Sequence, residues 1–238
     1  MSKKVARRSE SREVIYDDKR WILLKELRDI AINLMEKLSR FDISSIVYGS
    51  VARGDVNEGS DVDIFIYNPP SSFTLETALE RAGIRPIRRL IVQATPQYAI
   101  KGILEISDRC SISFPLVKMR SLERGLYQFG GEVTLSQLKE GKRVSGVDKR
   151  LMLIEPTSRG HLESSVVGNE EYAAKILRIP VEAVRSRVRI LLRRDTIGRT
   201  GIFIEREVPS DETFELALKR LAEEIPAVRR RVKISGMK

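Results

Sequence analysis

Residues 45–66 read Ser-Ile-Val-Tyr-Gly-Ser-Val-Ala-Arg-Gly-Asp-Val-Asn-Glu-Gly-Ser-Asp-Val-Asp-Ile-Phe-Ile, and this stretch decides the fold. An apolar run ends abruptly at Gly49-Ser50, and a second begins at Val62, between Asp61 and Asp63. This pattern predicts two buried strands joined by a short helical turn and a loop. Glycine allows close approach of a backbone, and the amides that open a helical turn favour anions. The loop after the first strand is therefore predicted to bind phosphate.

The two aspartates lie at the start of the second strand. Because alternate side chains of a strand share a face, Asp61 and Asp63 are expected on one face, with Val62 and Ile64 pointing into the core. Two neighbouring carboxylates repel unless a cation neutralises them. Carboxylate oxygens are the ligands that Mg²⁺ and Mn²⁺ prefer, so the pair predicts a site for one of these metals.

The residues around the aspartates add to a nucleotide site. Ser50 offers a hydroxyl donor, and Arg53 places a cation within reach of a triphosphate. Gly59-Ser60 supplies a tight turn that aims the strand end at the glycine–serine loop. A lone Gly-Ser or a lone Asp-x-Asp is usually a turn or a solvated strand end. Their combination in one short window is unlikely to be accidental.

Taken together, this segment resembles the signature of the DNA-polymerase-β-like nucleotidyltransferase superfamily, with the archaeal type as the narrower expectation. The resemblance covers roughly Ile15 to Lys118. It implies that Gly49 and Ser50 hold the β- and γ-phosphates of a nucleoside triphosphate, with Arg53 assisting. It also implies that Asp61 and Asp63 bind the metals of a two-metal, in-line transfer in which pyrophosphate leaves.

One departure from the family pattern concerns the third carboxylate, which active members usually place on a later strand. The corresponding segment here, Ser111 to Val117, offers serines and no acidic residue. Glu105 and Asp108 lie just upstream and serve only if the register is shifted. The sequence leaves open whether either of them completes the site.

Hydrophobic spacing predicts the elements around this motif. Between Val14 and Arg40 the apolar positions recur at helical intervals, which predicts a long amphipathic helix. The predicted strands are Asp42–Tyr48, Val62–Tyr67, Leu90–Gln93, Ala99–Ile106, Ser111–Val117 and Arg150–Ile154, and the predicted short helix is Phe73–Ala82.

A second module follows from about Asn169. Its small and apolar residues fall where a helix-turn-helix has them, although the turn position usually given to glycine is Arg178. Basic residues lie outside the apolar stripe of the second helix, as on a recognition helix. The segment from Arg193 to Glu205 resembles the hairpin wing of a winged helix, with a basic tip. The predicted nucleic-acid contacts are Arg185, Arg187, Arg189 and Arg199; the alternative is an ordinary helix pair with a solvated basic face.

Composition restricts the class of protein. The 238 residues are 42% hydrophobic and 32% charged, which is typical of a globular chain. The net charge of +10 favours a polyanionic partner such as nucleic acid. No apolar run approaches the roughly 20 residues that span a bilayer, and the basic first 13 residues do not resemble a secretory signal. Cys110 is the single cysteine, so a cytoplasmic location is expected.

The predicted fold class is α+β: a polymerase-β-like nucleotidyltransferase domain, with a mixed sheet flanked by helices, followed by a winged-helix or helix-turn-helix-like domain. The predicted parts are a basic flexible tail (1–13), the nucleotidyltransferase domain (14–120), a glycine-broken, β-containing connector (121–165), the helix-turn-helix and wing-like module (166–210), and a C-terminal helix with a basic tail (211–238).

Three functions fit this sequence. The preferred one is a transferase that moves a nucleotidyl group from a nucleoside triphosphate to an acceptor, with nucleic acid as the expected acceptor. The second is a DNA-binding regulator whose degenerate nucleotidyltransferase domain senses nucleotides. The third is a transferase that nucleotidylates a protein.

Overall fold

A computed structural model describes residues 11–198 and 201–235 and has an α+β architecture. The elements are β1 (Arg12–Ile15), α1 (Asp18–Ser39), β2 (Ile46–Tyr48), α2 (Ser50–Arg53), β3 (Val62–Phe65), α3 (Ser72–Arg81), β4 (Arg88–Gln93), β5 (Lys101–Ser107), β6 (Cys110–Pro115), α4 (Ser121–Gly130), β7 (Glu132–Thr134), α5 (Leu135–Lys139), β8 (Gly146–Val147), β9 (Met152–Thr157), β10 (Gly160–Ser165), α6 (Glu170–Leu177), α7 (Val181–Ile197), β11 (Ile204–Glu207), α8 (Phe214–Glu224) and α9 (Pro226–Ile234).

The chain divides into two compact units, and each is built from separate stretches of sequence. Within the described residues, the first comprises 11–32, 47–62 and 124–198; we call it the loop unit, because it contains Gly49 and Ser50. The second comprises 33–46, 63–123 and 201–235; we call it the sheet unit. The border between them falls directly before Asp63.

The sheet unit is organised by strands in the order β11–β4–β5–β6–β3. Among these, β11, β4, β5 and β6 are antiparallel neighbours. The aromatic rings of Phe114 in β6 and Phe214 in α8 meet edge to face with centroids 5.2 Å apart. Arg89 lies over the Phe214 ring at 5.0 Å and pairs with Glu76 of α3. Helices α3 and α8 therefore contribute to the core on this face of the sheet.

The loop unit contains a four-stranded antiparallel sheet in the order β1–β10–β9–β8, and β2 lies beside β7. Helices α6 and α7 pack onto β8 and β9 through one apolar cluster. Its buried members are Phe129, Val147, Leu151, Leu153, Val166, Ala173, Ala174, Ile179, Val184 and Val188. The two small alanines of α6, Ala173 and Ala174, are buried in this cluster.

Most predicted elements near the glycine–serine motif are confirmed, with shorter bounds for β2 and β3. The basic tail is a first correction. Predicted to be flexible as far as Glu13, it gives way to strand β1 at Arg12, which pairs with β10. Arg12 Nε is 2.5 Å from Glu163 Oε1. Arg12, predicted to lie in the flexible tail, therefore forms an ion pair within the sheet.

The glycine-broken connector predicted at residues 121–165 also contains more regular structure than the sequence predicted. Helix α4 continues through Gly125, where an added Cβ would meet only Ala183, at 3.7 Å. Helix α5 begins with a capping box formed by Thr134 and Gln137. The segment therefore contains helices as well as the predicted β structure.

The predicted wing between Arg193 and Glu205 is wrong within the described residues. Arg193 and Arg194 belong to α7, which runs to Ile197 because Leu191 and Leu192 continue its apolar spacing. Strand β11 pairs with β4, with Ile204 opposite Gln93, and not with a second strand of a hairpin that follows α7. Arg199, predicted at the tip, lies outside the described residues.

No helix in the described ranges combines the length and the apolar composition needed to cross a membrane.

Candidate nucleotide site

The glycine–serine loop lies where β2 ends and α2 begins, in the loop unit. Gly49 has φ 79° and ψ −144°, a conformation that is essentially confined to glycine, and its N–H donates to the carbonyl of Gly131 at 2.9 Å. Ser50 Oγ donates to Ser60 Oγ at 3.2 Å, and Ser60 Oγ accepts the N–H of Asn57 at 2.9 Å. The structure thus brings together Ser50 and Ser60, two predicted site residues ten positions apart.

Arg28 of α1 supports this loop from below. Its buried guanidinium donates to the carbonyls of Val51 at 3.2 Å, Ala52 at 3.3 Å and Lys142 at 2.6 Å. Burial, and then the charge of Arg143, lower the pKa of Arg28 to about 10, so the group is still cationic at neutral pH. A cation at the carbonyl end of a short helix is favourable. Helical periodicity alone gave no reason to single out Arg28.

Arg53 has a different environment from the predicted one. It is 5% exposed, and its Nε and Nη2 atoms donate to Asp55 Oδ1 at 2.9 Å and Oδ2 at 3.0 Å. Its Nη1 donates to the carbonyl of Gly130 at 2.6 Å. A bidentate pair with a further backbone bond occupies all three guanidinium nitrogens. This geometry favours a structural role for Arg53 over the predicted phosphate contact.

The backbone at Gly49 gives a first testable prediction. Gly49→Ala is expected to destabilise the chain by about 1–3 kcal/mol, because the added Cβ is strained at this φ and ψ even though space around it is open. Gly59→Ala is the matched control: Gly59 does not have a positive φ, and its added Cβ meets only Asn57 Oδ1, at 3.4 Å. Urea unfolding of both variants measures the difference; equal midpoints would contradict the assigned strain.

The aspartates follow at the start of β3. Asp61 immediately precedes the strand and is exposed, whereas Asp63 is its second residue and is half-buried. Val62 and Ile64 are fully buried, as the alternation predicted. In the sheet unit, Ser111 Oγ of β6 donates to Asp63 Oδ1 at 3.1 Å. The position beside Asp63 on the neighbouring strand is thus held by a hydroxyl.

The two candidate third carboxylates have other surroundings. Glu105 lies directly opposite Ser111 in the β5–β6 register, and its Oε2 accepts from Arg88 Nη1 at 3.3 Å. Asp108 is exposed in the turn between β5 and β6. Across residues 11–198 and 201–235, no group of three or more His, Cys, Asp or Glu side chains is arranged to hold a metal ion.

Asp63 also affects the side chains near it. Burial lowers the pKa of Lys101, and the charge of Asp63 opposes that shift. Burial, and then the charge of Asp63, raise the pKa of the Cys110 thiol to about 11. Burial and the charge of Asp63 both favour the neutral thiol in the folded chain. The raised pKa therefore lowers the free energy of unfolding only when the pH exceeds the ordinary thiol pKa of 9.0.

The buried thiol gives a second prediction. At pH 8, alkylation of Cys110 by iodoacetamide is expected to be at least roughly 100-fold slower in the folded chain than in urea, because a pKa higher by two units removes about that factor of thiolate. Mass spectrometry at timed intervals measures both rates. Similar rates in the two conditions would mean that Cys110 is accessible and ionises normally.

Helices α6 and α7 display the basic residues of the second module. They meet at Arg178, which has a left-handed φ of 55° at the position usually given to glycine. Arg185, Arg189 and Arg193 are exposed and four residues apart, so they follow one face of α7, whereas Arg187 is half-buried and lies on another side. Arg185 also pairs with Glu171 of α6. The three arginines predicted to contact nucleic acid from this helix, Arg185, Arg187 and Arg189, therefore do not all lie on one face.

Comparison with known proteins supports one part of this picture. Residues 27–127 match the family model described as a nucleotidyltransferase domain. The matched segment contains Gly49-Ser50, Asp61-x-Asp63 and the strand that carries Ser111. The match supports the predicted relationship to the nucleotidyltransferase superfamily and, in general terms, an activity of nucleotidyl transfer. No curated protein and no solved structure matches the chain.

Proposed function

We propose that this protein is a metal-dependent nucleotidyltransferase that moves a nucleoside monophosphate from a nucleoside triphosphate to nucleic acid. The observation that carries the proposal is the pairing of the Gly49-Ser50 loop with Asp61-x-Asp63 inside the segment that matches a nucleotidyltransferase domain. In the reaction, an acceptor hydroxyl oxygen bonds to the α-phosphorus, and the bond from that phosphorus to the bridging oxygen of the β-phosphate breaks. Pyrophosphate leaves, and the hydroxyl proton is released.

The glycine–serine loop is assigned to the triphosphate. Gly49 provides a backbone without a side chain, and Ser50 provides a hydroxyl whose proton is donated to Ser60 here and would turn to a phosphate oxygen when nucleotide binds. The buried guanidinium of Arg28 fixes the far end of α2, so the loop is held before nucleotide arrives. Such preorganisation avoids an ordering cost when the phosphates bind.

Asp61 and Asp63 are assigned to a divalent cation. Mg²⁺ is usually held in proteins by one or two carboxylates together with substrate phosphates and waters, and this pair suits that mode. The bound cation would supply positive charge against the charge that develops on the phosphates. Gly59 and Ser60 position the first carboxylate, because they immediately precede Asp61.

The acceptor is proposed to be nucleic acid because of charge. The net charge is +10, and the exposed face of α7 formed by Arg185, Arg189 and Arg193 presents cations in a line. Phosphate contacts by arginine release condensed counterions and make binding dependent on salt. The helix-turn-helix interpretation of α6 and α7 is part of this proposal.

A third prediction tests the α7 face. Arg189→Ala with Arg193→Ala is expected to reduce the slope of log K against log salt by about 2, since each lost phosphate contact removes about one unit. Arg81→Ala with Arg85→Ala removes two exposed arginines elsewhere and serves as the matched control. Fluorescence anisotropy with labelled duplexes and single strands measures the slopes. An unchanged slope in the α7 double variant would contradict the proposed surface.

The second candidate function is the nucleotide-sensing regulator. It is favoured by one observation, namely that β6 places Ser111 and no carboxylate beside Asp63. A regulator of this kind would bind nucleotide and duplex DNA but release no pyrophosphate.

The deciding experiment incubates the protein with each α-³²P-labelled nucleoside triphosphate and Mg²⁺ or Mn²⁺, in the presence of RNA, DNA or protein acceptors. Label in RNA or DNA supports the proposal, and label in protein supports the protein-nucleotidylating alternative. Nucleotide binding without transfer to any acceptor would favour the regulator.

A further inference from the structure

A line of polar side chains crosses the sheet unit from strand to strand. It comprises Asp63 in β3, Ser111 in β6, Glu105 in β5 and Arg88 in β4; we call it the polar row. Ser111 bonds to Asp63, Glu105 is the register partner of Ser111, and Arg88 is the register partner of Glu105. Because directly opposed residues of neighbouring strands share a face, the row lies on one side of the sheet.

The place next to Asp63 in this row belongs to a neutral residue. Ser111 Oγ donates to Asp63 Oδ1 at 3.1 Å, so the hydroxyl uses its proton on the aspartate. Lys101 lies on the same face of β5 as Glu105, four residues away. Neither Ser111 nor Lys101 contributes a carboxylate oxygen to Asp63.

The acidic member of the row lies one strand further away. Glu105 Oε2 is 3.3 Å from Arg88 Nη1, so its charge is balanced on the side away from Asp63. Within the described part of the chain, no cluster of three potential metal ligands includes Asp63. A second divalent ion near Asp63 would therefore lack the carboxylate that a two-ion site requires.

We propose that the site takes one divalent cation, the one that accompanies the nucleoside triphosphate, and that Ser111 occupies the position where a ligand for a second cation would stand. This inference rests on the proposed function. The family resemblance implies two bound metal ions, whereas this inference predicts one. It attributes the loss of the second ion to Ser111.

Electron paramagnetic resonance of Mn²⁺ tests the stoichiometry without relying on activity. The wild-type chain, saturated with an α,β-methylene triphosphate analogue, is titrated with Mn²⁺ and freed of unbound metal. One ion per chain with an uncoupled six-line spectrum is expected. Two ions about 3.5–4 Å apart, the spacing of two-metal sites, would give a spin-coupled spectrum and overturn the inference.

Ser111→Asp tests the assignment to this position. The new carboxylate would stand beside Asp63, so two ions per chain and a coupled spectrum are expected. Ser107→Asp adds the same charge at an exposed position of β5 and should keep one ion. Far-ultraviolet circular dichroism establishes that both variants are folded. A folded Ser111→Asp chain that still binds one ion would overturn the role given to Ser111.

The outcomes separate this inference from the proposed function. No bound Mn²⁺ in the presence of the analogue would defeat the proposed function itself. Two ions in the wild-type chain would leave the proposed function intact and defeat only the inference; Glu105→Gln would then show whether Glu105 turns away from Arg88 to supply the missing ligand. If Ser111→Asp does not fold, the wild-type spectrum still decides the stoichiometry.

Discussion

Replacement of either aspartate by alanine is expected to lower nucleotidyl transfer by at least about 100-fold, which is the scale on which loss of one preorganised electrostatic group acts. Asp61→Ala and Asp63→Ala each remove a carboxylate that the proposed cation needs. Asp63→Ala also leaves the Ser111 hydroxyl without its acceptor. The initial rate of label transfer from an α-³²P-labelled triphosphate measures the effect.

Three further variants make this test specific. Asp61→Asn and Asp63→Asn keep the shape of the side chain but remove its charge, so they are expected to lose nearly as much activity as the alanine variants. Asp29→Ala, an exposed aspartate of α1, should retain the wild-type rate. Transfer that survives the double change Asp61→Ala and Asp63→Ala would exclude this site as the catalytic one.

The largest effect on stability is expected at a buried ion pair in the sheet unit. Arg231 of α9 is 2% exposed, and its Nη2 lies 3.1 Å from Glu123 Oε2 and 2.8 Å from the carbonyl of Lys118. Arg231→Ala leaves the Glu123 carboxylate buried without this cation. Breaking one side of such a pair costs about 3–5 kcal/mol. Urea unfolding at neutral pH measures the change in the free energy of unfolding.

Matched variants distinguish the pair from the helix that carries it. Arg230→Ala removes the neighbouring, exposed arginine and is expected to change stability by less than about 0.5 kcal/mol. Arg231→Met combined with Glu123→Leu removes both charges and should recover much of the loss, because apolar replacement of a buried pair is often neutral. A single Arg231→Ala variant as stable as Arg230→Ala would contradict the importance of the pair.

The sequence predicted local features around the motif well, because they depend on short-range patterns. The alternation of apolar residues predicted strand β3 and the burial of Val62 and Ile64, and both are confirmed. The conjunction of Gly49-Ser50 with Asp61-x-Asp63 indicated a domain type that the match at residues 27–127 supports. Helical spacing likewise gave α1, α3, α6 and the start of α7.

Features that depend on partners distant in the chain were not predictable in this way. Arg53 was assigned to a triphosphate because it follows the loop, but its charge is bound by Asp55 and by the carbonyl of Gly130, which is far away in sequence. Arg28 supports the loop from a helix whose pattern indicates only amphipathicity. The sequence reveals the charge of a basic side chain, but it does not reveal which group that side chain will bind in the folded chain.

Strand pairing was the other source of error. The glycines and basic residues between Arg193 and Glu205 predict a hairpin whose two strands pair with each other. The structure instead pairs Ile204 with Gln93, more than a hundred residues earlier. In the same way, Arg12 pairs with Glu163 across most of the chain, which no local pattern reveals.

The most direct test of the central claim is a crystal structure of the protein with an α,β-methylene triphosphate analogue and Mn²⁺. We expect an anomalous Mn²⁺ peak in contact with the carboxylates of Asp61 and Asp63, and β- and γ-phosphates against Gly49 and Ser50. Nucleotide bound elsewhere in the chain, or Mn²⁺ that contacts neither aspartate, would contradict it.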